Sequence, residues 1–295
     1  MIRSKFQFFT TSEATSRTLA FKNASMLRQV KLLLADTEIE MKSCSYCASF
    51  EKLTKEHIWP KSLIKRNPDF LTYSKATNSF YKGEAVIKDV CAECNNDILS
   101  KLDDYLATLY DSHFANIVTA GSEAEIAYDY NMLLRVLLKI SFNSSRSSGS
   151  EKSVKLHQKF ITYILKGTHR SDVILRLQIV TDSTEFSLDG ELRKTVKPEV
   201  LRCADIGYDG VLANRFMIRL IAINSFWLYL IMPHKKEKPH KLKEFMEGFS
   251  AWRLQPGVLI PPDSSRLNIP ANKTTWFDPR LLGSLLSANP GNQSY

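Results

Sequence analysis

Cys44-Ser-Tyr-Cys47, Glu56-His57-Ile58-Trp59-Pro60-Lys61 and Cys91-Ala-Glu-Cys94-Asn95-Asn96 make up the stretch around which the chain is organised. Two thiolates separated by two residues reach one metal ion only if the backbone between them folds back, so Cys44 to Cys47 predicts a tight turn, and the second pair delivers Asn95 to the start of a helix. Together the pairs Cys44/Cys47 and Cys91/Cys94 supply the four ligands of a tetrahedral structural Zn²⁺ with none left over. The long loop between them is tolerable because the entropy of loop closure grows slowly with length. Leu53 to Pro60 reads as a short strand that Pro60 forces out of regular pairing. The polar stretch from Lys61 to Lys88 looks like an insertion. After Cys94, the residues Ile98, Leu99, Leu102, Leu106 and Leu109 recur at a 3.6-residue period. They predict a helix that starts at Asn95 or Asn96, with Asn96 as its cap.

Three residues inside this frame are of the types that metal-assisted hydrolysis needs, with an activated water and a cation beside the developing charge. His57 offers a neutral imidazole that can take a proton from water. Glu56 offers a hard oxygen ligand and Asn95 an amide carbonyl, both suited to Mg²⁺. Adjacent strand residues point to opposite sides, so Glu56 and His57 share a site only if the chain twists or bulges there.

The pattern CxxC, EHxxP and CxxCN resembles the HNH nucleases, also called His-Me or ββα-metal finger enzymes, in their zinc-knuckle variant. The resemblance covers about residues 44 to 105. It implies a ββα-metal module with a structural zinc on Cys44, Cys47, Cys91 and Cys94. His57 would be the general base, and Glu56 and Asn95 the ligands of a catalytic Mg²⁺ or Mn²⁺. The implied reaction is hydrolysis of DNA phosphodiesters in double-stranded DNA, one strand at a time in a monomer. Stand-alone members of similar build look like parts of bacterial anti-phage or mobile-element systems. That adds phage or plasmid DNA as substrate and other defence proteins as partners. Two departures stand out: the Asn that in the family orients the base is replaced by Val86, and the loop before it is long. Asn78 or a backbone carbonyl would have to substitute. Two rival functions stay open beside this one, a non-catalytic zinc module that binds nucleic acid or protein and a nuclease directed at RNA.

Composition permits these readings without selecting among them. Forty Lys plus Arg against 31 Asp plus Glu give a net charge of +9, which favours polyanionic partners. Lys55, Lys61 and Lys101 are candidate phosphate contacts, with solvated surface the competing role for each. Five cysteines, four of them in CxxC pairs, suit a reducing compartment with metal-bound thiolates and not a secreted disulfide framework. With no signal peptide evident, a cytoplasmic location is expected.

The 295 residues are expected to form an arm and helix over 1–40, a nuclease module over 41–110 and an α+β region over 111–295. The overall class is therefore α+β. Met26, Leu27, Val30, Leu33 and Leu34 predict a helix ahead of the module. Asn143 to Ser150, rich in serine, reads as a loop, followed by a helix over 152–166 with Leu156, Phe160 and Ile164 inward. Strands are expected over 173–181, 185–188, 191–196, 215–223 and 226–232. The apolar run Val211 to Met232 is interrupted by Arg215 and Arg219, costly in a bilayer, so it reads as paired buried strands and not a membrane span.

Overall fold

A computed structural model describes residues 42–74, 79–168, 172–207, 214–248 and 257–271. The chain divides into Met1–Lys42 and a compact unit from Ser43 onward. The helix expected from Met26, Asn78 and the last ten residues lie outside the described residues. Every described helix and strand belongs to the unit that begins at Ser43.

The fold is mixed, with helices and antiparallel sheets, as the α+β reading requires. Strand β1 (Leu53–His57) is followed by the short helix α1 (Lys61–Arg66) and the strands β2 (Leu71–Ser74) and β3 (Ser79–Lys82). The segment that looks like a polar insertion thus contains a helical turn and a pair of strands, β2 and β3 being hydrogen-bonded to each other. Strand β4 (Val86–Cys91) pairs antiparallel with β1. A π-type turn (Cys94–Leu99) then runs into helix α2 (Ser100–Leu109) and a second π-type turn (Tyr110–Phe114). Leu99, Leu102, Leu106 and Leu109 are all buried, which is the apolar stripe that the sequence period requires.

Strand β5 (Glu123–Ala127) alternates exposed and buried residues, with Ala124 and Ile126 inward. Helix α3 (Tyr130–Ser147) follows, capped by Asp129, whose carboxylate accepts from the Met132 amide at 2.9 Å. From Leu133 to Asn143 only Arg135 escapes full burial, so α3 is a central helix with neighbours all round. It packs against α2, against α4 (Glu151–Gln158) and α5 (Ile161–Lys166), against β4, and against two strands of the large sheet in the later part of the chain. The expected loop over 143–150 is therefore corrected: the helix continues to Ser147, and Asn143 and Ser145 are fully buried. Serines and an asparagine read as loop formers because they compete locally for backbone hydrogen bonds. Here Ser145 bonds the Ser141 carbonyl one turn back and Ser153 of α4, so the helix keeps its polar groups satisfied.

The remaining strands are β6 (Ile174–Ile179), β7 (Ser183–Phe186), β8 (Leu192–Val196), β9 (Leu201–Ile206), β10 (Phe216–Ile223) and β11 (Phe226–Pro233). Helix α6 (Pro239–Gly248), β12 (Val258–Leu259) and β13 (Arg266–Pro270) complete the described chain. β12, β6, β11, β10 and β9 form one antiparallel sheet in that order, β7 pairs with β8, and β13 with β5. In β10 and β11 one set of alternate side chains, Ile221, Ile223, Leu228 and Leu230, packs into the core that also holds α3 and the cysteines. The other set, Phe216, Leu220, Trp227 and Tyr229, packs under Phe245 of α6. Burial on both faces explains why the segment is apolar at nearly every strand position. Among the described residues no helix is long and apolar enough to cross a membrane. Arg219 is buried on the α3 side, where it meets Asp205 at 2.7 Å and the hydroxyls of Ser141 and Ser144 at 3.0 Å each. Cys203, the one cysteine outside the CxxC pairs, is half-buried and accepts from Arg219 at 3.1 Å.

One cluster of buried residues runs from Cys44 through α2, α3 and β6 to Ala271. The regions 41–110 and 111–295, separate by sequence pattern, thus share a core.

Candidate metal centre and the residues around it

Both CxxC segments fold as expected. The first turns back on itself, with the Ala48 amide bonded to the Cys44 carbonyl at 2.8 Å and Ala48 itself at φ +60°. The second joins the end of β4 to the helical turn at Cys94. The Sγ atoms of Cys44, Cys47, Cys91 and Cys94 all lie within 4.8 Å of one another, and Cys47 and Cys91 are 3.5 Å apart. A tetrahedral zinc with Zn–S bonds of about 2.3 Å sets its sulfurs about 3.8 Å apart, so the four thiols fit such an ion. The amides of Tyr46 and Cys91 donate to the Cys44 sulfur at 3.5 and 3.3 Å, the outer support that orients a thiolate ligand. Cys44, Cys91 and Cys94 are buried and Cys47 is exposed, which leaves a path for the ion. In the polypeptide alone, burial pushes the thiols of Cys91 and Cys94 above the usual range. The Ser49 hydroxyl beside Cys47 holds that thiol down to about 7. Loading a metal must therefore expel protons from buried sulfur. These four residues can hold a metal ion such as zinc.

The cluster is braced against α3 by a polar stripe spaced along one face of that helix. Lys139, Asn143 and Arg146 each reach into the β1–β4 pair or the first knuckle. Arg146 meets Asp89 at 2.9 Å, and Asp89 also accepts from the Ser45 hydroxyl at 2.8 Å. Tyr46 donates to the Asn143 amide oxygen at 2.7 Å, while the Arg146 guanidinium lies 5.0 Å from its ring centre. Asn143 donates to Glu56 and to the His57 carbonyl, both at 3.0 Å.

Glu56 is drawn into this network. It is 2% exposed, its carboxylate lies 2.7 Å from the Lys139 ammonium, and Lys139 in turn lies 2.5 Å from Asp103 of α2. Burial alone would lower the Lys139 pKa. The Asp103 and Glu56 carboxylates outweigh that and raise its pKa. Glu56, expected as a ligand to a catalytic ion, has its carboxylate inside the protein, where Oε1 is held by Lys139 and Asn143. β1 and β4 do contain a bulge of the kind that a shared Glu56–His57 site would need. It lies one step too early, placing Lys88 and Asp89 opposite Lys55. Past it Glu56 and His57 pair in regular register with Ile87 and Val86, so the two still point to opposite sides.

His57 is on the accessible side, with 24% of its side chain exposed. Its Nε2 is 2.6 Å from the carboxylate of Glu84, a residue that sequence pattern did not single out. The missed signal was faint: an acid in the loop just ahead of the second knuckle, beside a glycine. Asn95 is brought to the same strand, its amide nitrogen donating to the Thr54 hydroxyl and to the Lys55 carbonyl, both at 2.9 Å. Its carbonyl oxygen remains as an acceptor. Lys55, Lys61 and Lys101 are exposed at the surface. Comparison with protein-family models, with curated proteins and with solved structures finds no match to this chain.

Proposed function

We propose that the chain is a nuclease of the HNH type that hydrolyses DNA phosphodiesters, with His57 as the general base. The observation that supports this most directly is the position of the imidazole. It stands partly exposed at the end of β1, in a strand pair that leads through a four-thiol cluster into a helix. Its backbone is anchored from inside by Asn143, and its ring is held from outside by Glu84. Zinc in the thiol cluster would be structural, because four cysteines leave no open coordination position. A Mg²⁺ or Mn²⁺ ion, the other cofactor of this reading, neutralises charge on the phosphoryl group when bound. Asn95 keeps its amide oxygen with which to hold it, while Glu56 has one carboxylate oxygen engaged by Lys139 and Asn143; no step is assigned through the ion. Exposed Lys55, Lys61 and Lys101, with the excess of basic residues, suit a phosphate backbone as partner. Action on phage or plasmid DNA beside other proteins of a defence system belongs to the same reading.

One observation favours a second reading, a zinc module that binds nucleic acid without cutting it: the acidic residue beside His57 is used for packing. Supercoiled plasmid incubated with Mg²⁺ or Mn²⁺ separates the two. The zinc-loaded protein is expected to nick it, and His57→Ala is expected to lower the rate by roughly 10²- to 10⁴-fold, the usual worth of a positioned general base. Equal nicking by both proteins, or none by either, would favour the binding module. Structured RNA digested in parallel decides between the two polynucleotides.

A further inference from the structure

A neutral imidazole can act as a base only through the ring nitrogen that carries no proton, so a catalytic histidine needs a partner that fixes its tautomer. An ionised carboxylate accepts hydrogen bonds and donates none. The 2.6 Å contact between Glu84 and Nε2 of His57 therefore places the ring proton on Nε2. Among the described residues no protein group is bonded to Nδ1. We propose that Glu84 is the positioning residue of His57: it holds the imidazole in the Nε2–H form and leaves Nδ1 as the nitrogen that takes the proton from water.

The local structure is built to keep Glu84 in place. It lies between β3 and β4 in the segment Gly83-Glu84-Ala85. On one side the Thr72 hydroxyl of β2 donates to the Gly83 carbonyl at 2.6 Å. On the other, the Ile58 amide just past β1 donates to the Ala85 carbonyl at 3.1 Å. Gly83 has φ +158°, and a β-carbon there would meet ring atoms of Tyr81 at 3.3 Å, so glycine suits the close approach of the β2–β3 strand pair to this turn. The β2–β3 segment, which in sequence looks like an insertion, thus sets the acid against the histidine. It also supplies what Val86 cannot: a side chain at Val86 faces His57 across the strands but has no hydrogen-bonding group.

The assignment rests on His57 being the base of the proposed reaction, so its test has one readout that does not depend on cleavage. Nitrogen-15 NMR of the histidine rings at about pH 8, where an ordinary histidine is neutral, is expected to show the Nε2–H form at His57 in the wild type. Glu84→Ala should give a mixture of tautomers. Glu84→Gln should keep the Nε2–H form, because its amide oxygen still accepts. With supercoiled plasmid and Mn²⁺, Glu84→Ala should nick about 10²-fold more slowly and Glu84→Gln within about tenfold of wild type. An unchanged tautomer in Glu84→Ala would overturn the proposal. So would recovery of its nicking by excess Mn²⁺, which would make Glu84 an ion ligand. Should the wild type fail to nick, the nuclease reading falls, and the tautomer measurement alone decides the role of Glu84.

Discussion

Cys91→Ser is expected to unfold the region built from the first knuckle, the β1–β4 pair and the start of the following helix. Structural zinc bound by four cysteines contributes on the order of 10–16 kcal/mol in small zinc modules, against a total stability of about 5–15 kcal/mol for an ordinary domain. Cys91 stands at the junction where the loss is felt most. It ends β4, pairs with Leu53, and its amide donates to the Cys44 sulfur. The mutant should bind far less than one zinc per chain. The amides of Leu53–His57 and Val86–Cys91 should lose protection from hydrogen exchange, and a strong chelator should do the same to the wild type. A Cys91→Ser protein with native protection in both strands would show the four thiols to be packing groups and not ligands. Because the core runs without a break from Cys44 through α3 into the large sheet, the loss should also lower the melting temperature of the whole unit.

The second large effect is expected at Lys139. Its ammonium has no exposure and lies between the carboxylates of Glu56 and Asp103, joining β1, α2 and α3 at one point. Replacing it by methionine keeps the volume but leaves two carboxylates facing each other with only Asn143 to support Glu56. Removal of one partner from a buried ion pair costs about 3–5 kcal/mol. The single mutant should therefore be shifted far down in urea, while the triple change Lys139→Met, Glu56→Gln and Asp103→Asn should recover most of the loss. If Lys139→Met alone were neutral, the fixed inward position of Glu56 would be in doubt. The pair of variants also bears on function: a triple mutant that still nicks plasmid would show that Glu56 has no part in the chemistry.

Much of the centre was legible because its signals are local. A CxxC pair carries its own turn, and the leucines after Cys94 carry their own period. The apolar run through Val211 to Met232 carries its pairing, since two strands with both faces covered must look continuously hydrophobic. The four cysteines, the first strand, the helix after the second knuckle and the absence of a membrane-crossing helix among the described residues all accord with such signals. Strands β2, β3, β5, β9, β12 and β13 were missed; most are short, and the alternation in β5 runs over only five residues.

What the sequence could not supply is the identity of partners far apart along the chain. Glu56 and His57 are neighbours with the same apparent claim to a catalytic role. One is withdrawn by a lysine on α3, and the other is held by an acid from the loop before β4. Asn143 and Arg146, in a segment that by composition reads as a loop, are helical because they satisfy Glu56, the His57 carbonyl and Asp89 across the core. The residue types and their spacing determined where a metal can be bound. The direction in which each polar side chain points was decided by tertiary structure, because a buried charge goes to the nearest group that can neutralise it, and that group is rarely close in sequence.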